Sequence, residues 1–206
     1  MQGRTKRGLQ CRAYASLALT LAFSTLAIAL ALPSAAAATI AVESERHGGT
    51  VNILASVVLD ADIAIAWRVL TDYDRYMKFI PDLRMSRVVS RHGATVIVQQ
   101  SGDAAIWLFK LPLDITFEIT EIPPNRLQSR AVAGSLRALT SGYTLTPVGR
   151  GTRLDYNGHV EPGFALFGQI EQTAVERNVA RQFQALADEI ERQGADPPVH
   201  SISDLK

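Results

Sequence analysis

Thr152-Arg153-Leu154-Asp155-Tyr156-Asn157-Gly158-His159-Val160, a break at Pro162-Gly163, and then the run from Phe164 to Gln193 form the stretch that decides the fold. The first segment alternates, with Leu154, Tyr156 and Val160 on one face and His159 and Glu161 on the other, the pattern of a half-buried strand. The run after the break reads as one long helix. At about 100° per residue, Phe167, Ile170, Ala174, Val175, Val179, Leu186 and Ile190 spread over an apolar arc wider than contact with a single layer requires. Glu171, Asn178 and Gln182 fall inside that arc. Either they stand where the helix overhangs solvent, or they face an internal space and supply the few polar contacts that orient a mostly apolar ligand. A long helix closing a β-rich chain suggests a curved sheet gripping that helix around an apolar space.

The upstream sequence supplies the sheet. Val51, Ile53, Ala55, Val57 and Leu59 alternate along a first strand from Thr50. Asp60 or Asp62 can cap the helix expected over Ala61 to Leu70, and Tyr73 to Phe79 reads as a second short helix stopped by Pro81. Strands are then expected at Arg84 to Ser90, Thr95 to Gly102, Ala104 to Phe109, Leu113 to Glu121, Arg126 to Ala133, Leu136 to Thr146 and Thr152 to Val160. Their separators are His92-Gly93, Leu111-Pro112, Pro123-Pro124-Asn125, Gly134 and Gly149-Arg150-Gly151, a spacing that favours consecutive antiparallel hairpins. The fold class is α+β.

The termini stand outside that fold. Arg4, Lys6, Arg7 and Arg12 precede an uncharged apolar run from Tyr14 to Leu32, and Pro33-Ser34-Ala35-Ala36-Ala37-Ala38 follows, the composition of a cleavable secretory signal. The expected organisation is a signal peptide over residues 1–38, a flexible lead-in over 39–49, one domain over 50–193 and a disordered tail over 194–206. A retained membrane anchor is the alternative, because the apolar run approaches the length of about 20 residues that spans a bilayer. Cleavage removes four of the 21 Lys and Arg, leaving 17 against 20 Asp and Glu, so the mature chain is acidic and no nucleic-acid partner is expected. Cys11, the single cysteine, leaves as well, and stability in an oxidising periplasm then rests on a core instead of disulfides.

Three stretches resemble a known family: Trp67-Arg68-Val69-Leu70-Thr71-Asp72-Tyr73-Asp74-Arg75-Tyr76 with Phe79-Ile80-Pro81, then Gly151-Thr152-Arg153-Leu154-Asp155-Tyr156, then the helix to Arg192. In this order they resemble the START-like (SRPBCC) superfamily, in particular its polyketide cyclase/dehydrase and coenzyme Q-binding Coq10-like branch. The resemblance implies a helix-grip fold, in which a curved antiparallel sheet wraps a long C-terminal helix and two short helices follow the first strand. It also implies a hydrophobic ligand such as a lipid, quinone, sterol or polyketide, and no shared catalytic set.

Chemistry-bearing motifs are sparse. His47, His92, His159 and His200 lack paired metal-ligand spacing, so no metal is expected, and neither is a cofactor. No Ser sits in a G-x-S-x-G elbow, and Gly149-Arg150-Gly151-Thr152 joins two strands instead of opening a phosphate-binding helix. The candidate ligand-binding residues are Trp107, Phe109, Phe117, Tyr143, Phe167, Glu171, Ala174, Asn178 and Gln182. The leading expectation is a periplasmic carrier of a hydrophobic small molecule, with transient membrane contact. One alternative is a cyclase or dehydratase in which Glu171, helped by Tyr143 or Arg130, moves a proton in the same cavity. Another is a protein-interaction module using the Trp107 face, which would need a filled interior.

Overall fold

A computed structural model describes residues 40–106, 109–161 and 169–195. Eight antiparallel strands form one sheet: β1 (Ala41–His47), β2 (Thr50–Leu59), β3 (Leu83–His92), β4 (Thr95–Ile106), β5 (Phe109–Ile122), β6 (Arg126–Gly134), β7 (Ala138–Val148) and β8 (Gly151–Glu161). Their spatial order is β1-β2-β8-β7-β6-β5-β4-β3. Helix α1 (Ile63–Thr71) and a 3-10 helix (Tyr73–Lys78) follow β2, and α2 (Gln169–Ala195) closes the chain.

The sheet must curl around α2. Near one end, Ser44 of β1 donates to Glu176 of α2 at 2.8 Å, and Gln172 donates back to the Ser44 carbonyl and hydroxyl at 3.1 and 3.0 Å. Toward the other, Ala105 of β4 is bound by Asn178 of the same helix. In a flat sheet β1 and β4 would lie six strand spacings apart, about 29 Å. A helix with its side chains is only about 10–12 Å across. Curvature therefore brings both ends to one rod, and the architecture is the helix-grip α+β fold.

Inward residues of the strands build the core. Val51, Ile53, Ala55, Val57 and Leu59 of β2 are all buried, as the alternation predicts. They join Val96 and Val98 of β4, Leu145 of β7, Leu154 of β8, and Phe183, Leu186, Ala187 and Ile190 of α2. Asp62, one of the two expected caps, starts α1 by accepting from the Ala64 amide at 2.7 Å. Helix α1 then buries Ala66, Val69 and Leu70. Thr152, fully buried, donates to the Ala61 carbonyl at 2.8 Å and ties the start of β8 to the β2–α1 corner.

Three expectations are corrected. The lead-in read as flexible contains strand β1, joined to β2 by a two-residue Gly48-Gly49 turn in which Gly48 has φ +62°. Its inward positions include Ser44 and Arg46, so the apolar alternation is diluted, and polar bonds from α2 hold it instead. The two strands expected over Thr95 to Phe109 are one, β4. Correspondingly, Leu111-Pro112 does not separate strands: Pro112 lies inside β5 opposite Asp103, whose amide turns the other way to the Asp82 carbonyl at 2.9 Å. Helix α2 also runs to Ala195, two residues beyond its expected end at Gln193; residues 196–206 lie outside the described residues.

One break in the sheet bears on the site. Strands β6 and β7 pair only from Arg126↔Thr144 to Arg130↔Thr140. Beyond that point β6 continues with β5 to Gly134↔Ile115, and β7 continues with β8 to Ala138↔Glu161. The two halves of the sheet part there.

Candidate functional site

Sheet and helix do not meet everywhere. Between the inner face and α2 lies a cavity of about 280 Å3, walled by Leu113, Ile115 and Phe117 of β5, Leu139 and Tyr143 of β7, and Ala174, Val175 and Val179 of α2. Tyr73 and Tyr76 of the 3-10 helix and Tyr156 of β8 complete its inner end. The aromatic rings form two trios: Tyr76 stands edge-on between Tyr73 and Phe79 at 5.8 and 5.6 Å, and Tyr156 lies 5.0 Å from Tyr143 and 6.4 Å from Phe183. Edge and tilted contacts of this kind stabilise aromatic clusters beyond their area burial.

Gly158 sets the direction of the Tyr156 ring. Both residues face inward on β8, and a Cβ at Gly158 would come within 2.6 Å of the Tyr156 hydroxyl. The missing side chain lets the ring lie along the strand toward Ser141, with which the hydroxyl shares a hydrogen bond. Ser141 bonds in turn to Ser129 at 2.7 Å. A short line of hydroxyls thus crosses the sheet inside an otherwise apolar wall.

The remaining polar groups differ in what they have left to offer. Tyr73 donates to Glu121 at 3.1 Å, which also pairs with Arg91 at 2.6 Å. Tyr76 donates to the Leu70 carbonyl at 2.7 Å. Burial raises the Tyr76 and Tyr143 hydroxyls well above the usual phenol range, and pushes Tyr156 up to about 12 against the opposing Ser141 bond. All three are protonated at neutral pH and act as neutral donors.

Asp82 closes the rim. Its backbone is left-handed at φ +60°, and its carboxylate is held by Lys110 of β5 at 3.0 Å and Arg181 of α2 at 2.8 Å. The Lys110 bond, reinforced by Arg181 and opposed by partial burial, holds the Asp82 carboxyl below its ordinary value of 3.8. A depressed pKa contributes stability above the unfolded-state value and loses it as pH falls through the folded one. Asp82→Asn keeps a residue type that tolerates left-handed backbone and removes only the charge. Its thermal midpoint should fall below that of the parent at pH 7, and the two should converge as pH drops below the ordinary carboxylate range or salt rises toward about 1 M. A gap indifferent to both would mean that the clasp does not act through charge.

Of the sequence-derived candidates, Phe117, Tyr143, Ala174, Asn178 and Gln182 come together on the cavity wall. Asn178 is fully engaged: its amide donates to the Ala105 and Ala174 carbonyls at 2.9 and 2.7 Å, and its oxygen accepts from the Ala105 amide and Arg181 at 3.2 and 3.0 Å. It pairs with β4 beyond the point where β3 ends, as a neighbouring strand would. Gln182 is exposed at the opening and has no protein partner among the described residues. Arg130, expected to help Tyr143, instead stands on the outer face paired with Glu118 at 2.8 Å, because the inward positions of β6 are Leu127, Ser129 and Ala131. Trp107 and Phe167 lie outside the described residues, as do the side chains of Phe109 and Glu171. Tyr73 and Tyr76 are not among the sequence-derived candidates, whereas Tyr156 is one of the inward strand aromatics that the alternation identifies. The signal for the first two is the spacing of three in Tyr73, Tyr76 and Phe79, which aligns side chains on a 3-10 helix.

A groove of about 360 Å3 on the outer face is lined by Glu118, Arg126, Gln128, Arg130, Thr140 and Asn157 among others. Its walls are polar and open to solvent. The inner cavity, apolar with a few convergent polar groups, is the arrangement that binds small molecules. Among the described residues no cluster of His, Cys, Asp or Glu is arranged to hold a metal.

Fold and cavity together define a hydrophobic-ligand-binding helix-grip protein. The model of the family described as polyketide cyclase/dehydrase and lipid transport matches residues 50–193, and the chain belongs to that family. Solved structures show the same fold. A protein from Thermus thermophilus is 17% identical, with a TM-score of 0.63 over 70% of this chain and 99% of its own. A STAR-related lipid transfer protein from Xanthomonas axonopodis is 17% identical, with a TM-score of 0.62 over 75% of this chain and 98% of that one. The Zhui aromatase/cyclase from Streptomyces sp. R1128 is 15% identical, with a TM-score of 0.60 over 70% of this chain and 95% of that one. Among curated proteins, none matches this chain in sequence.

Proposed function

We propose that this protein binds and carries a compact hydrophobic molecule outside the cytoplasm, without covalent chemistry. The observation that carries the reading is the apolar cavity of about 280 Å3 under α2. Small-molecule pockets span about 300–1,000 Å3, so this one lies just under the lower limit and suits a fused-ring or short isoprenoid molecule better than a two-tailed lipid. Structural neighbours named as a lipid transfer protein and as an aromatase/cyclase leave carriage and ring chemistry both open at the level of fold. Carriage is favoured by the titration of the described cavity groups. The tyrosines are shifted upward and Asp82 downward, away from the neutral range in which a general acid or base works best. The protein-interaction reading requires a filled interior, and the cavity weighs against it. The basic leader, apolar run and alanine-rich segment support export.

The test uses protein recovered from the periplasmic fraction, whose N-terminus should fall between about Ala36 and Ala41. It should bind the uncharged fluorophore N-phenyl-1-naphthylamine with a blue-shifted emission. Ala174→Trp places an indole in the cavity and should abolish that signal while the far-ultraviolet dichroism is retained; Val179→Phe serves as the second filling variant. A parent protein that takes up no probe, or filled variants that bind as well as the parent, would refute carriage in this cavity. An intact Met1 on membrane-bound protein would refute cleavage.

A further inference from the structure

The polar contents of the cavity specify what kind of molecule it accepts, given that the cavity is the binding site as proposed above. Among the described residues no Lys, Arg or His lines it. Among the described residues its charged lining groups are Asp82 and Asp103, and both are already paired, with Lys110 and Arg181 and with Arg84 respectively. A carboxylate or phosphate drawn inside would find no free cation and would bear the full cost of burial. Four tyrosines line the wall: Tyr73 donates to Glu121 and Tyr76 to the Leu70 carbonyl, while the Tyr156 hydroxyl accepts from Ser141. Tyr143 alone has no hydrogen-bond partner in the protein among the described residues, and it lines the middle of the apolar wall beside Tyr156. A donor left unmet beside an apolar space is a loss that a ligand acceptor would recover.

We infer that the cavity takes an uncharged, mostly apolar molecule bearing an oxygen acceptor, and that this acceptor receives a hydrogen bond from Tyr143. Tyr143 is thereby a specificity-determining residue. Tyr143 stands between Leu127 of β6 and Tyr156 of β8 on the inner face, so the acceptor that meets it lies against a mostly apolar part of the wall.

Three naphthalenes of similar shape test this: 2-acetylnaphthalene with a carbonyl, 2-ethylnaphthalene without one, and 2-naphthoate with a charge. Affinities are measured by competition with N-phenyl-1-naphthylamine on the parent, Tyr143→Phe and Tyr76→Phe. Tyr143→Phe keeps the ring and its packing on Tyr156, and should weaken 2-acetylnaphthalene about 3- to 10-fold while leaving 2-ethylnaphthalene within about twofold. Tyr76→Phe, whose hydroxyl is spent on the backbone, should shift both ligands alike. 2-Naphthoate should bind the parent at least about tenfold more weakly than the ketone. Equal losses of ketone and hydrocarbon on Tyr143→Phe, no loss of either, or a carboxylate as tight as the ketone would each overturn the inference while leaving a hydrophobic carrier standing. If none of the naphthalenes displaces the probe from the parent, both the inference and the carrier reading fall.

Discussion

Phe183→Ala should lower the free energy of unfolding by about 3–5 kcal/mol, the range for deleting a large aromatic side chain from a packed core. Phe183 is 2% exposed, at the centre of the inward face of α2, and it touches the Tyr156 ring. Urea denaturation of parent and variant measures the change directly, as a shift of the midpoint at an unchanged slope. Phe183→Leu should cost distinctly less, because most of the volume is retained. The position also separates the solid from the hollow part of the interior. Toward the C-terminus Ala187 and Ile190 belong to the packed core with residues of α1 and β2, whereas Ala174, Val175 and Val179 face the cavity and Leu186 stands at its inner limit. Truncating Phe183 therefore extends the cavity toward the core, and the variant should accept a larger uncharged probe than the parent does. A loss below about 1 kcal/mol would mean that α2 is not seated in the sheet as described.

The second large effect is expected at Asn178. Asn178→Ala strips the partner from both the amide and the carbonyl of Ala105 on the uncovered edge of β4, and should cost about 1–3 kcal/mol. Amide hydrogen exchange gives the local signature: protection at Ala105 should collapse, while that of the β2–β8 ladder falls only by the global change in stability. Asn178→Asp is informative because the isosteric acid can still accept from the Ala105 amide and Arg181 but cannot donate to either carbonyl. It should lie between parent and alanine variant. An alanine variant with unchanged Ala105 protection would show that the amide is not what covers this edge.

Much of the fold is legible in the sequence because its elements are internally consistent. Every inward position of β2 from Val51 to Leu59 is apolar, Asp62 stands where α1 needs a cap, and turns bearing Gly, Pro or Asn separate most of the strands. Strand β1 is not legible, since Val42 is its one apolar inward residue and inward Ser44 is satisfied by α2, a partner more than a hundred residues away. The length of β4 is likewise hidden. Pro112 reads as a breaker until the partner strand shows that the edge facing it does not need its missing amide. At the site, the apolar arc of α2 is the feature that points to an internal space, and Phe117, Tyr143 and Ala174 line the cavity. The roles of Asn178 and Arg130 depend on which backbone edge and which sheet face they meet. Helical periodicity specifies neither.

The parting of β6 from β7 beyond Arg130 and Thr140 makes the domain adjustable at one seam. Widening the sheet anywhere else means breaking ladder hydrogen bonds, each of which must then find water. At this seam the bonds were never made, and the linking residues are anchored to the two flanks, Ser135 to Asp114 and Arg137 to Glu161. Leu136 and Leu139, which line the cavity, sit at that seam. Substitutions there can change how bulky a guest is admitted at little cost to folding, so a lineage could diversify its ligands by altering a handful of positions while the gripping scaffold stays as it is.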